Sequence, residues 1–463
     1  MFARKLFYFA IFTAILSLNL AAQNKLPRLL VAKDGRYLQD ETGKPFFWLA
    51  DTAWELFLKL NKEEAELYFD DRKSKGFNLI QITALSENDF HTIDAVNHYG
   101  HSPLVDGDPL RPDTIPGENN DYWDFVDTIM KLAESKGLYV GLLPTWGEYV
   151  TTEYRDGNVN SIFNAKNAFV YGKYIGNRYK DFTNIVWILG GDRSACTDEA
   201  KAVWRSLARG LAVGITGAED YSKMLMTFHP VGKRHSTDDF PNEEWVDFNA
   251  IQSGHGDHIL NWKMIQADYS TYSNKPVIDL ESSYPFLSKE SNSVVTNDFH
   301  ARRAAYWSVF SGSFGHTYGH HGIWNFVENS DNKNINWKKA INAKSSSQVG
   351  YLKELIEAFS FSTRFPDQSI IASNPGLGID HIAATRGEKF ALVYTPINRP
   401  FVILMGKLEG RKVKARWFNP RDNNYQSIGI LKNKGTLTFL PPTAGNPEYG
   451  NDWVLVLESY KQK

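Results

Sequence analysis

Between about residues 28 and 360, short apolar runs alternate with stretches in which apolar residues recur every three or four positions. A short apolar run bounded by turn residues reads as a buried strand, and the 3.6-residue period as a helix packed on it. The alternation therefore predicts a parallel sheet with crossover helices. Eight strands are predicted. They cover residues 45–50, leading to Asp51-Thr52-Ala53-Trp54; 77–83, with Gln81 inside; 138–144, ending at Trp146; and 185–189. The others cover 224–228, followed by His229; 248–253, which holds Gln252 and leads to His255; 277–280; and a Gly-rich 313–318 with His316 and Tyr318. Helices are predicted over 63–75, capped by Asn61, and over 122–135, with Gly76 and Gly137 as the helix-to-strand turns. Trp204, Leu207, Ala208 and Leu211 share one helical face, as do Val349, Leu352, Ile356 and Phe359. Residues 234–242 read as a loop with at most a turn of helix. Eight such units fit an elaborated (β/α)8 TIM barrel over about 330 residues better than a doubly wound sheet.

After about residue 360 the helical period disappears. Short alternating runs at 390–394, 401–404, 413–418 and 453–457 are separated by turn signals such as Asn433-Lys434-Gly435. These predict a small antiparallel β-sandwich over 361–463, following a barrel over 23–360. Three strand-to-helix connections, at 87–120, 147–164 and 320–347, are far longer than the helix-to-strand turns. All three fall on one face of the barrel, and long loops in compact domains usually carry function.

The N-terminus changes the picture of where this chain works. Arg4 and Lys5 precede an apolar stretch from Leu6 to Leu18, and Ala21-Ala22 offers small residues for cleavage. Residues 1–22 therefore read as a secretory signal, which implies a periplasmic or extracellular protein with no stable membrane insertion. A net charge of −2 with no basic patch argues against a nucleic-acid partner. Cys196 is the only cysteine, so neither an internal disulfide nor a cysteine metal cluster is possible.

Two acids stand at strand ends. Asp192 closes Ile185-Val-Trp-Ile-Leu-Gly-Gly-Asp192, and Glu281 closes Val277-Ile-Asp-Leu-Glu281. In a parallel barrel both face the same rim, and paired rim carboxylates suggest glycosidic bond cleavage by an acid/base and a nucleophile. The alternatives are an Arg193 partner or a cap for Asp192 and a buried salt bridge for Glu281. Asp51, Trp54, Gln81, Trp146, His229, Gln252, His255, His316, Tyr318 and Trp324 are the candidates for binding substrate around the pair. Asp51 reads equally well as a helix cap. His229, His255 and His316 converge if the barrel is right, which raises the thought of zinc. They come from separate strands without a His-x-x-x-His pair, and hydrogen bonding to Glu281 and to sugar hydroxyls suffices, so no metal and no cofactor are expected.

The stretches Phe46-Phe-Trp-Leu-Ala-Asp-Thr-Ala-Trp54, Trp187-Ile-Leu-Gly-Gly-Asp192, Ile251-Gln-Ser-Gly-His255 and Glu281-Ser-Ser-Tyr-Pro285 resemble the apiosidase-like glycoside hydrolases. The Gly-Asp at strand four departs from the Asn-Glu of the common cellulase-like barrels. The resemblance implies a barrel followed by a β-sandwich and hydrolysis of apiosidic linkages in the pectin rhamnogalacturonan II. It makes plant cell-wall polysaccharide the partner, Asp192 the acid/base and Glu281 the nucleophile. A barrel that only binds carbohydrate or matrix, and a metal-dependent barrel hydrolase, are the competing readings.

Overall fold

The structure, a computed structural model, describes residues 25–86, 95–151, 161–287, 295–328, 335–442 and 450–461. The expected signal segment and parts of the three long loops lie outside these residues. Eight parallel strands alternate with helices: β1 (Trp48–Thr52), β2 (Leu79–Thr83), β3 (Tyr139–Leu143), β4 (Ile185–Gly190), β5 (Met226–His229), β6 (Asn249–Gln252), β7 (Val277–Glu281) and β8 (Gly315–Tyr318). Six of them form one curled sheet in the order β8-β1-β2-β3-β4-β5, while β6 and β7 pair with each other. Single backbone bonds bridge the two groups, from Asp247 N to Met226 O and from Phe314 N to Val277 O.

The helices are α1 (Lys62–Ser74), α2 (Tyr122–Ser135), α3 (Ala165–Tyr179), α4 (Asp198–Thr216), the single turn α5 (Ser236–Asp239), α6 (Asn261–Thr271), α7 (Asp298–Phe310) and α8 (Lys344–Glu357). Their starts are set locally. Asn61 and Glu64 form a capping box on α1, and the Asp121 carboxylate accepts from Asp124 N on α2. Glycines let α3 and α4 approach closely: a Cβ at Gly172, Gly176, Gly210 or Gly214 would meet the backbone of the facing helix.

One strand prediction, 45–50, needs correction. Pro45–Phe46 belongs to an antiparallel hairpin with Leu38–Asp40, and β1 starts only at Trp48. The strand therefore runs through Asp51, which lies within the sheet and not after it. The C-terminal part has a six-stranded antiparallel sheet in the order Phe365–Pro366, β9 (Ala383–Arg386), β10 (Phe390–Thr395), β15 (Trp453–Ser459), β12 (Lys412–Asn419), β13 (Asn424–Lys432). A second, two-stranded sheet pairs β11 (Phe401–Leu404) with β14 (Thr436–Phe439). Val393, Trp417 and Leu455 pack toward Phe401, Ile403 and Phe439 of this small sheet. Leu392, Tyr394 and Val456 on the opposite face pack against Tyr306, Trp307 and Phe310 of α7. That period of two is what a sheet covered on both faces requires.

Polar groups pin the two parts together. Arg302 of α7 donates to both carboxylate oxygens of Asp452, through Nε at 2.8 Å and Nη2 at 2.7 Å, with both side chains buried. Arg421 adds a contact to Asp452 Oδ1 at 3.1 Å. The Trp262 and His381 rings stack 3.6 Å apart, and Trp307 Nε1 donates to His381 O.

Candidate active site

The carboxylate pair sits where the parallel strands end. β4 closes on Gly190 and Gly191, both with positive φ, and Asp192 follows at φ +53°. Both glycines are required by contact as well as by conformation. A Cβ on Gly190 would collide with the His229 carbonyl oxygen, and one on Gly191 would lie 2.7 Å from the Trp146 ring. As an aspartate, Asp192 tolerates this left-handed backbone better than most non-glycine residues do. Its backbone is held in place: Arg193 Nη1 donates to Asp192 O at 2.9 Å, while Nη2 pairs with buried Glu148 at 2.6 Å. Arg193 thus fixes the turn without engaging the Asp192 carboxylate. Sequence reasoning passed over Glu148, which follows Gly147 without any local motif.

Gln252 joins the two acids. Its Nε2 donates to Asp192 Oδ1 at 2.7 Å and to Glu281 Oε2 at 2.9 Å. One nitrogen reaching both oxygens, with its two hydrogens about 120° apart, sets the oxygens on the order of 5 Å from each other. This juxtaposition depends on a register slip. Ile251 stands opposite Asp279, yet Gln252 stands opposite Glu281, because the pairing skips a residue there. Such irregularities re-aim side chains beside active sites.

Two histidines hold Glu281. His229 Nε2 lies 3.3 Å from Oε2 and His255 Nε2 lies 3.2 Å from Oε1. Each ring has its Nδ1 on a backbone carbonyl, Pro230 O at 3.0 Å and Ser282 O at 2.9 Å. A carbonyl only accepts, so each Nδ1 carries a hydrogen, and a proton at Nε2 makes the ring a cation facing the carboxylate. Burial alone would raise the Glu281 pKa; the His229 and His255 Nε2 atoms facing its two oxygens reverse this and hold the carboxyl well below its usual range. Burial likewise pushes His229 down, but Glu281, and behind it Asp192, bring it above the ordinary histidine value.

Aromatic groups wall the same space. The Trp54 ring lies 5.2 Å from Trp146 and 5.5 Å from His229. Trp54 Nε1 donates to the Tyr284 hydroxyl, which donates to Thr52 Oγ1 at 2.8 Å. The Tyr284 ring lies 4.3 Å from His255. Tyr284 belongs among the site residues, and its place in the Glu281-Ser-Ser-Tyr284 run was the available signal. Trp324 is partly buried against the same apolar cluster as Trp54 and Trp146.

Four expected binding residues stand elsewhere. Asp51 is fully buried on the helix side of β1, bonded to Arg72 Nε at 2.5 Å and to Tyr68 of α1 at 2.6 Å. It faces away from the carboxylate pair, and the N-cap position of the helix that follows is Glu55. On β8, Thr317 turns inward, where its hydroxyl accepts from Trp48 Nε1 and Gln81 Nε2. The alternation then sends His316 and Tyr318 outward. The Tyr318 hydroxyl meets Ser345 of α8 at 3.0 Å, and burial lowers the His316 pKa to about 3. His316 therefore does not converge with His229 and His255. Gln81 faces inward but lies beneath the rim, also reaching Leu280 O. Asp279 is buried and bonded to Ser253 and to Asn261 of α6; burial raises its pKa to about 6.

A buried, histidine-held carboxylate beside a partly exposed one, at the ends of a parallel sheet and ringed by indoles, is the equipment of a glycosidase. The apiosidase-like catalytic domain family matches residues 32–363, and the chain belongs to that family. Residues 365–458 match the "Putative collagen-binding domain of a collagenase". Among solved structures, a glycoside hydrolase family 5 protein from Bacteroides vulgatus is 34% identical, with a TM-score of 0.83 and 93% of each chain covered. Another structure described as a glycoside hydrolase is also 34% identical, with a TM-score of 0.82, covering 94% of this chain and 98% of its own. No curated protein matches the chain. No helix among the described residues is long and apolar enough to cross a membrane.

The histidine clamp makes a pH prediction. A nucleophilic carboxylate must be ionised, and a depressed pKa keeps it so as the pH falls. Replacing His229 with Asn removes a cation that favours the ionised form, so the Glu281 pKa rises. The acid limb of kcat/KM should move to higher pH, and activity at pH 5 should fall further than activity at pH 7. A pH–rate profile with an unmoved acid limb would show that His229 does not set the state of Glu281.

Proposed function

We propose that this glycosidase is a retaining enzyme that cleaves apiosidic linkages in the side chains of pectic rhamnogalacturonan II. The observation that carries the reading is the Gln252 bridge, which supports a carboxylate spacing of the about 5–5.5 Å used by retaining pairs rather than the wider gap that admits a water. The eight strands act as a (β/α)8 barrel within residues 23–360, residues 361–463 form a β-sandwich, and residues 1–22 direct the chain to the periplasm or cell exterior.

In the first step the Glu281 carboxylate attacks the anomeric carbon, the glycosidic C–O bond breaks, and Asp192 gives its proton to the leaving oxygen. In the second, Asp192 takes a proton from water, which attacks the same carbon and releases Glu281. The environments fit these roles. Glu281 is buried, immobilised and held as an anion, whereas partly exposed Asp192 can meet a leaving group and then a water. Trp54 and Trp146 wall the space around the acids, and the Gln252 carbonyl oxygen, whose amide nitrogen is committed to the two carboxylates, is left to accept from a sugar hydroxyl.

The test is release of sugars from pectic fractions by purified protein. Apiose-terminated products are expected from the wild type and none from Glu281→Ala. Release of a different pentose, or products of Glu281→Ala equal to those of the wild type, would refute the assignment.

A further inference from the structure

The run His98-Tyr99-Gly100-His101 takes no part in the carboxylate site, yet the fold builds it with care. Asn97, only 3% exposed, accepts from Tyr99 N and His101 N through its side-chain oxygen, each at 3.0 Å. Its backbone N donates to His101 O, and Gly100 turns the chain at φ +84° and donates back to Asn97 O. This tight turn presents Tyr99, which stays 48% exposed. Two contacts fix its ring: the hydroxyl accepts from Lys62 N at the start of α1, and Phe125 of α2 meets it edge-on at 5.3 Å.

Beside Tyr99 lies a pocket of about 210 Å³ between the N-terminal ends of α1 and α2. It shares no lining residue with the carboxylate site. The strand-to-helix connections place both helix starts on the face that carries Asp192 and Glu281, outward from that pair. Phe125 and Tyr99 supply the apolar surface, and the polar lining mixes signs and roles. The Lys62 ammonium can donate and the Asn119 amide can donate and accept, while the Asp121 carboxylate, which already accepts from Asp124 N and Ile115 N, and the Thr128 hydroxyl, which donates to Asp124 O, keep acceptor capacity. His101 also lines the pocket, and its buried Nδ1 has no hydrogen-bond partner. A fixed, half-exposed aromatic ring with balanced donors and acceptors around it suits a ring that is apolar on one face and hydroxylated at its edge. The Lys62 and Asp121 charges oppose each other, so the lining carries no net charge that selects a carboxylated sugar.

We infer that this pocket is a second carbohydrate site, which binds one neutral sugar unit of a glycan whose scissile bond lies at the carboxylate pair. The inference rests on the glycosidase reading for what the chain binds, not for how it cuts. A ring held in advance by the Lys62 and Phe125 contacts loses little freedom on binding, so its removal should cost affinity directly.

Binding should be measured by calorimetry on full-length Glu281→Gln protein, with galactotetraose and arabinotetraose as neutral probes and trigalacturonate as the charged one. Hydrogen exchange locates the bound sugar. A neutral tetrasaccharide should protect residues 97–101 and 119–128, and Tyr99→Ala should weaken its binding at least about tenfold. Asn119→Gly, which keeps the left-handed backbone at φ +58°, should weaken it by a smaller factor, and both variants should melt at the parent temperature. Unchanged affinity in both variants, or protection of this segment by trigalacturonate alone, would overturn the inference. Should the glycosidase reading fail while Tyr99-dependent protection persists, the site stands without it.

Discussion

Glu281→Ala should abolish turnover on every substrate, whereas Asp192→Ala should spare those with good leaving groups. Without the Glu281 carboxylate no glycosyl-enzyme forms, and an alanine there also leaves His229 and His255 facing an empty cavity. The loss should reach about 10⁴-fold or more, as for other enzymes deprived of their covalent nucleophile. Asp192 works differently. Proton donation to the leaving oxygen contributes about 10²–10⁴-fold, and an activated aryl leaving group needs little of it. Asp192→Ala should therefore fall by that factor on the natural glycan and far less on an aryl glycoside in the bond-breaking step. Steady-state and burst kinetics of both variants on both substrates check this. If Glu281→Ala keeps the activated-substrate rate and Asp192→Ala does not, the two roles are exchanged.

Asp452→Asn should be the most damaging change far from the site. Asp452 has no exposure and is held by Arg302 from α7 and by Arg421. The asparagine keeps the shape and removes the charge, which leaves a buried guanidinium without its counter-ion. Breaking such a pair costs about 3–5 kcal/mol. The thermal midpoint should fall by about 3–5 °C in a melting curve, and a change within about 1 °C would mean that the pair adds nothing net. Burial would raise the Asp452 pKa, but the arginines bring it below the ordinary value. Its contribution is thus present above the unfolded carboxylate range, about 3.9. It is lost as the pH falls through the lower folded value, so acid should loosen this interface in the wild type as Asn does at neutral pH.

The parallel strands and several of their helices were legible because each apolar run is short and some helices stop just before a glycine, as at Gly76 and Gly137. The meeting of Asp192 and Glu281 was legible because both close apolar strands of a parallel arrangement, whose strand ends lie on one face. The facing of side chains was not. β1 and β8 are buried on both sides, so their sequences carry no polar alternation to separate inner from outer positions. Asp51, His316 and Tyr318 read as rim groups for that reason, and they face the helices. The Gln252 bridge required a skipped residue in the β6–β7 register, which no periodicity encodes. β13 escaped notice because its residues are mostly exposed and polar, leaving no buried face to read.

The central claim is that Asp192 and Glu281 act as a double-displacement pair. Proton NMR of the sugar released in the first minutes, before the free anomers equilibrate, tests it most directly. Two displacements at one carbon should give a product with the anomeric configuration of the substrate. A first-formed product of the opposite configuration would mean a single displacement by water and would contradict the account.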